Sequence, residues 1–575
     1  MSEEKSNRLK PWAQATAAGW VNASRATVIS DMSRCAPASA LSTTPRIGHW
    51  RLISYQAGDL TGNLLWASAE AAAPALSFAL NVSGWWAIFV GLYTTRSAPC
   101  RVGLKLDGDL APVPRSAIPK KGYWCIEEVF FKAAELKGRS LHVTASPPGP
   151  SGGSGLAYVK LVPLSDEEIS GVLADRRDPS PRRLTASCDG FSFICDRAPT
   201  TAEAVLTDIE IFRDTDFKTL LLHVGGADQV SYPTKRGYSF GIDLNCFSDP
   251  GHRQFARAVK ELARKNINPT RTLIDGAHAI GMDVHVGFRP AMWTYYPPYT
   301  EFFQSPFYRD HPQWRTIDRD GTPVTRMSWA VPEVRAHLID VLAEAVGFGA
   351  DGVHVVFNRG FPMVLWEPPF CRLFTQRHGI DPHDLDEHDP RITQLHCEIV
   401  ATFLREVRGM LDDEARRRAD GRRLALSACV LGTENDNLRY DVDIRRLVGE
   451  GLIDDVYVYK YNFGQTTREW DMRFFTDACR GTPTRVHPMF SVVELADGDI
   501  RDALSLYESA AAGLAFWDAS ESAGNMHVWS ALSRFGHIDE LRERLGLTPP
   551  SPVCLPVHQL NGETMDGRFP IFWGG

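Results

Sequence analysis

The chain lacks any run of about 18 uninterrupted apolar residues, the length a membrane-spanning helix needs, so no transmembrane segment is expected. It also lacks a basic excess: 62 Lys and Arg stand against 70 Asp and Glu, for a net charge of −8. Binding through nucleic-acid phosphates or to an anionic membrane surface calls for the opposite balance, so neither partner is expected. No CxxC pair occurs; the 11 cysteines are scattered from Cys35 to Cys554 and read as reduced thiols. HExxH, GxxxxGK[ST] and GxSxG are all missing, which removes the zinc-protease, P-loop and serine-hydrolase readings. The first residues, MSEEKSNRLKPWAQATAAGW, have no continuous apolar core of signal-peptide type, and a cytoplasmic location is the expectation. His223, His285, His354 and His487 lie in or near strands. They would hold a metal only if all pointed inward at one level, and packed core histidines are the plainer reading. No metal and no cofactor is expected.

What is present is an ordinary globular composition, 44% apolar and 23% charged, over 575 residues, too many for one small core. Residues 1–45 show no clear periodicity. From 46 to 165 short alternating runs (HWRLISY, ALSFALNV, WWAIFVGLY, RVGLKLDGD, AYVKLVPL) are separated by Gly, Pro, Asn and Asp, which predicts an all-β sandwich. The charged, proline-bearing stretch 166–184 reads as a linker. From 185 to 545 the rhythm becomes strand, then helix, with strand candidates FSFICD, TLLLHVGG, DVHVGFRP, GVHVVFNRG, LALSACVLG, DVYVYKYN, RVHPMFSVV and GLAFWDA. Val334, Leu338, Val341, Leu342 and Val346 share one helical face, as do Ile392, Leu395, Ile399, Phe403 and Val407. Both-face apolar strands alternating with amphipathic helices predict a (β/α)8 TIM barrel after the sandwich. The rival, an open doubly wound sheet, usually shows a glycine-rich loop after its first strand, and FICDRAPTTAEA has none. Residues 546–575 read as a C-terminal tail.

A barrel of this kind works at the carboxyl ends of its strands. There the sequence places Asp196 and Arg197, His223, Arg289, Asn358 and Arg359, Glu434 and Asp436, Tyr459, Lys460, Tyr461 and Asn462, Glu494, and Trp517 and Asp518. Trp293, Tyr295, Tyr296 and Trp366 add to an aromatic mouth. Flat rings stack on the C–H faces of sugars, and carboxylates, amides and guanidinium groups bind hydroxyls, so a carbohydrate substrate is expected. The bland alternative is that half of these aromatics pack inside loops stiffened by Pro297, Pro298, Pro368 and Pro369. Glycoside cleavage needs two carboxyl groups. Glu494, Glu434 and Glu367 are the catalytic candidates, with Asp518 and Asp436 behind them. Glu367 sits among Trp366 and two prolines, an apolar setting that would raise its pKa. Substrate-binding candidates are Arg289, Trp293, Tyr295, Asn358, Arg359, Trp366, Tyr459, Lys460, Asn462, Trp517 and Asp518. Two other readings stay open: a sugar-binding barrel without catalysis, and a lyase or isomerase on sugar acids with Lys460 as base and Arg289 or Arg359 on the carboxylate.

The stretches SPFYRDHPQWRTIDRDGTPV and AVPEVRAHLIDVLAEAVGFGADGVHVVFNRG resemble the bacterial family-10-like glycosyl hydrolase proteins, which show HPxW…DxxG, pEVR and DGvhxD segments. VDIRRLVGEGLIDDVYVY is similar to a later segment of the same family. The likeness runs from about 210 to about 520, and it implies a barrel glycoside hydrolase with the front sandwich as an accessory module or subunit contact, which is compatible with a homo-oligomer. One departure stands out. Members often carry Asp in the fourth strand where this chain has Val356, and Glu367 is the nearest replacement. By analogy with barrel glycosidases, Glu494 after strand seven is the expected nucleophile.

Overall fold

The computed structural model describes residues 15–95, 99–118, 124–146, 152–359, 361–459, 471–490, 496–547 and 551–564. Eight parallel strands form a closed barrel: β1 (Leu184–Asp189), β2 (Phe217–Gly226), β3 (Asp283–Arg289), β4 (Gly352–Val356), β5 (Ala425–Leu431), β6 (Asp455–Tyr459), β7 (Arg485–Phe490) and β8 (Ala515–Phe516). Each pairs in parallel with its neighbours, and β8 returns to β1 through Thr185–Ala515 and Ala186–Phe516. Val353, Val355 and Val356 of β4 are all buried, because one face fills the barrel and the other lies under helices.

The first strand differs from expectation. FSFICD is a helix, and the strand is the preceding LTASCD. The Asp189 carboxylate accepts the Phe191 N–H at 3.1 Å and starts the helix, and Ala198 ends it in the left-handed region (φ 44°). The residue at the carboxyl end of β1 is therefore Asp189, not Asp196 or Arg197. The stretch expected as a linker also contains a helix, α1 (Asp166–Arg177). It opens on a capping box, with Ser165 Oγ accepting the Glu168 N–H at 3.2 Å and Glu168 Oε2 accepting the Ser165 N–H at 2.8 Å. The helix after β1 is α2 (Gly190–Arg197). Outer helices include α3 (Pro250–Arg264), α4 (Pro332–Val346), α5 (Pro368–His378), α6 (Pro390–Arg417), α7 (Glu434–Arg439) and α8 (Ile538–Arg544). The faces expected on α4 and α6 are the buried ones, at about 1.5–3 kcal/mol for each fully buried Val, Leu, Ile or Phe. Between β3 and α4 the long segment carries a short helix, Pro306–Asp310, and a hairpin of Arg315–Ile317 with Pro323–Met327.

The front of the chain is all β. Strands 50–57, 60–68, 153–163, 85–94 and 125–135 pair in sequence, and the strand Cys554–Leu560 joins the last to the first. This ring of six packs Ile53, Tyr55, Leu64, Tyr93, Ile126, Tyr158 and Val557 together. A second layer of strands 113–117, 100–106, 140–145 and 76–79 contributes Val102, Leu104, Leu141, Val143 and Phe78 to the main core. The stretch expected as a tail thus contains a structural strand. Its CLPVHQL sequence finds free edges on both sides.

Candidate functional site

The carboxyl ends of the barrel strands gather one constellation. Asp189 ends β1, and its Oδ2 accepts Arg289 Nη2, from the end of β3, at 3.0 Å. Ser192 Oγ donates to the same oxygen at 3.1 Å. Burial works against ionisation of Asp189, but Arg289, His223 and the hydrogen bonds from Ser192 and the Phe191 N–H outweigh it and hold the carboxyl below the ordinary carboxylate range. Asp518 follows β8, in the left-handed region at φ 48°, with its own N–H on Ser187 Oγ at 2.9 Å. Burial and the negative charges of Asp189 and Glu521 push its pKa up to about 6, against Arg359 and the Asp189 backbone N–H. Two neighbouring carboxyl groups therefore have opposite proton affinities, which is how acid and base roles are divided in hydrolytic sites. Trp517 links the remaining members. Arg359 lies over its ring at 5.1 Å, and the His223 and Tyr459 rings lie 5.1 and 5.4 Å from it.

Beneath this rim the barrel wall is polar. His223, Gly287 and His354 stand level across β2, β3 and β4. The two imidazoles are parallel with centroids 5.8 Å apart. Gly287 makes room for them: a Cβ there would lie 2.6 Å from His223 Cδ2. Ser427 Oγ donates to the Val353 carbonyl at 3.3 Å, so it accepts from His285 Nδ1 at 3.0 Å and from His354 Nδ1 at 2.9 Å. His354 Nε2 is then an acceptor. Burial drives the His223 pKa down to about 4 despite Asp189, and drives His354 well below its ordinary value. Both ring nitrogens of His223, His354 Nε2 and both amide atoms of Asn358 are buried without a hydrogen-bond partner among the described residues. Each such atom costs about 1–3 kcal/mol unless something polar meets it. No cluster of three metal-ligating side chains occurs among the described residues.

The expected site residues divide into three groups. Arg289, Arg359, Tyr459, Trp517 and Asp518 meet in the constellation above, and Asn358 lies buried just beyond the end of β4. Others serve the loops. Glu367 is buried, with its carboxylate accepting Ser328 Oγ and the Leu365 N–H. Burial raises its pKa, as the sequence suggests, and the group is enclosed under Ser328. Glu434 begins α7 and accepts Arg445 Nε at 2.8 Å, and Asp436 is tied to Thr433 in the same turn. Trp293 is fully buried against Phe307, and Trp366 packs among Phe370, His383 and Arg319. Tyr295 is exposed. Glu494, Lys460 and Asn462 lie outside the described residues. Sequence reasoning missed Asp189; its signal was the Asp-Gly pair closing the LTASCD run. A cavity of about 740 Å³ lies elsewhere. Arg183 and Thr215 on its lining precede β1 and β2, so it lies at the amino ends of the strands.

The sequence matches no protein-family model and no curated protein. Among solved structures, the chain is similar to the glycoside hydrolase domain of PgaB (BpsB) from Bordetella bronchiseptica, with 12% identity over 61% of this chain and 97% of that one and a TM-score of 0.36. It is similar to the catalytic domain of a β-amylase from Paenibacillus polymyxa, with 8% identity over 63% and 99% and a TM-score of 0.37. A third is the α-galactosidase TtGalA from Thermus thermophilus, with 12% identity over 84% and 94% and a TM-score of 0.33. Likenesses this distant fix neither the reaction nor the substrate.

Proposed function

We propose that the protein hydrolyses a glycosidic bond with a pair of carboxyl groups at the barrel mouth, the barrel from about 185 to about 545 carrying the chemistry and the front all-β part acting as an accessory module. The observation that carries this reading is the divergence of Asp518 and Asp189. Asp518, with a pKa of about 6, keeps a proton to give to the leaving glycosidic oxygen. Asp189, ionised and paired with Arg289, attacks the anomeric carbon or draws a proton from the attacking water. Arg359, Trp517 and Tyr459 border the sugar, with Trp517 offering a ring face. Two-carboxylate hydrolysis needs no cofactor. This assignment moves the chemistry from Glu367 and Glu434 to two aspartates, and Glu494→Gln belongs in the same mutational series because that residue follows β7.

A panel of glycosides and oligosaccharides tests it. Release of reducing ends by the native protein, lost in Asp518→Asn and Asp189→Asn while the fold persists, is the expected result. A new ultraviolet absorbance from an unsaturated uronate would replace hydrolysis by elimination. A melting shift without turnover would reduce the barrel to a sugar-binding protein.

A further inference from the structure

Among the described Phe, Tyr and Trp side chains, Tyr295 and Tyr296 are the ones that stand exposed, at 49% and 68%. They come six and seven residues after Arg289, on the loop leaving the carboxyl end of β3. Their seat is firm. The Tyr295 ring lies 5.3 Å from Phe303, 6.2 Å from Tyr299 and 5.9 Å from Tyr296. Phe303 packs on Phe191 at 5.8 Å, and the Phe191 N–H is the one that holds the Asp189 carboxylate. Phe240, Phe255, Phe302 and His252 pack around the same rings. A continuous body of aromatic side chains therefore runs from Phe191, two residues after Asp189, to two phenol rings facing solvent.

We infer that Tyr295 and Tyr296 form a stacking subsite for sugar residues beyond the one held between Asp189 and Asp518, so that the substrate is a carbohydrate chain rather than a single glycoside unit. This rests on the hydrolytic reading of the mouth. The C–H face of a pyranose is apolar and faintly positive, which suits the negative face of a phenol ring. The two rings are tilted by 57° at a centroid spacing of 5.9 Å, a step comparable with one pyranose repeat, and so present successive faces to a chain that turns as it leaves the mouth. A protein partner fits less well. Two rings flanked by Pro297 and Pro298 offer far less than the roughly 800 Å² per partner of a standard interface. The patch is also tied, through Phe303 and Phe191, to the segment that carries Asp189.

The test compares the native protein with Tyr295→Ala, Tyr296→Ala and the double variant on a long oligosaccharide and on an aryl glycoside of the same reacting sugar. The double variant should raise KM for the long substrate about tenfold and leave kcat/KM on the aryl glycoside and the melting temperature unchanged. Equal losses on both substrates, or no loss on either, would overturn the subsite. Should no glycoside be turned over, gel electrophoresis through entrapped polysaccharides separates the two ideas. Retardation of the native protein but not of the double variant supports the subsite without the hydrolysis; equal mobility of the two in every gel overturns it.

Discussion

Asp518 and Asp189 carry the same functional group, and their surroundings alone decide which holds a proton. The sign of the pH dependence follows. The acid must be protonated, so kcat/KM should fall as pH rises through about 6. The base must be ionised, so activity is lost on the acid side only below the ordinary carboxylate range. Glu521 is one of the charges that raise Asp518. Glu521→Gln should therefore move the alkaline limb to lower pH, which a pH–rate profile reads directly; an unmoved limb would mean that another group titrates there. At this scale the sequence was half legible. Asp518 is visible behind Trp517 at the end of an unmistakable strand. Asp189 is not, because the inward side of LTASCD carries Thr185 and Ser187 and so looks weaker than the more apolar FSFICD beside it. Glu367 shows the opposite balance. Its apolar setting and raised pKa are readable, but its enclosure under Ser328 depends on a loop contact 39 residues away.

Secondary elements were readable wherever local pattern sufficed, as on α4 and α6, whose buried faces follow the helical repeat. The start of α1 was missed, because the charged, proline-bearing stretch reads as a linker although Ser165 and Glu168 stand at capping-box spacing. What α1 does was not readable, because it depends on partners far along the chain. Its Asp175 accepts Arg534 Nη1 at 2.9 Å and meets His537 Nε2 at 3.2 Å, while His537 Nδ1 meets Asp216 at 2.8 Å. Burial alone would lower the His537 pKa, but hydrogen bonds to Asp175 and Asp216 raise it to about 9, against the nearby Arg534. A raised histidine stabilises the fold fully below its unfolded value near 6.5 and loses that contribution as pH climbs through about 9. The unfolding free energy should thus fall between these values, by an amount on the order of 3 kcal/mol, seen as a lower thermal midpoint, and His537→Gln should flatten the drop. A second prediction concerns β3. Gly287→Ala would put a methyl 2.6 Å from a fully buried imidazole, at a cost of about 1–3 kcal/mol, seen as a lower denaturation midpoint. An unchanged midpoint would show that His223 can swing aside.

Across the whole molecule the alternation of strand and helix was enough to predict the barrel, because each βα unit is local in sequence. The front domain was legible as β texture but not as a ring. Its closing strand, Cys554–Leu560, lies some 420 residues beyond its partner 125–135, and no periodicity announces such a pairing. That strand makes a prediction. Removing residues from 551 onward takes Val557 from the buried cluster and leaves two strand edges open. Calorimetry of the shortened chain should show an early transition for the front domain, with aggregation, ahead of the barrel. A single unshifted transition would mean that the ring holds without its sixth strand.

The account turns on Asp518 as the proton donor, and leaving-group dependence examines that role most directly. For Asp518→Asn, turnover of glycosides with poor, proton-requiring leaving groups should fall by about 10²–10⁴. Turnover of the corresponding dinitrophenyl glycoside, whose leaving group departs without a proton, should stay near the native rate, and the alkaline limb near pH 6 should vanish. Equal losses on both substrates with the limb intact would contradict the account and place the acid on another residue.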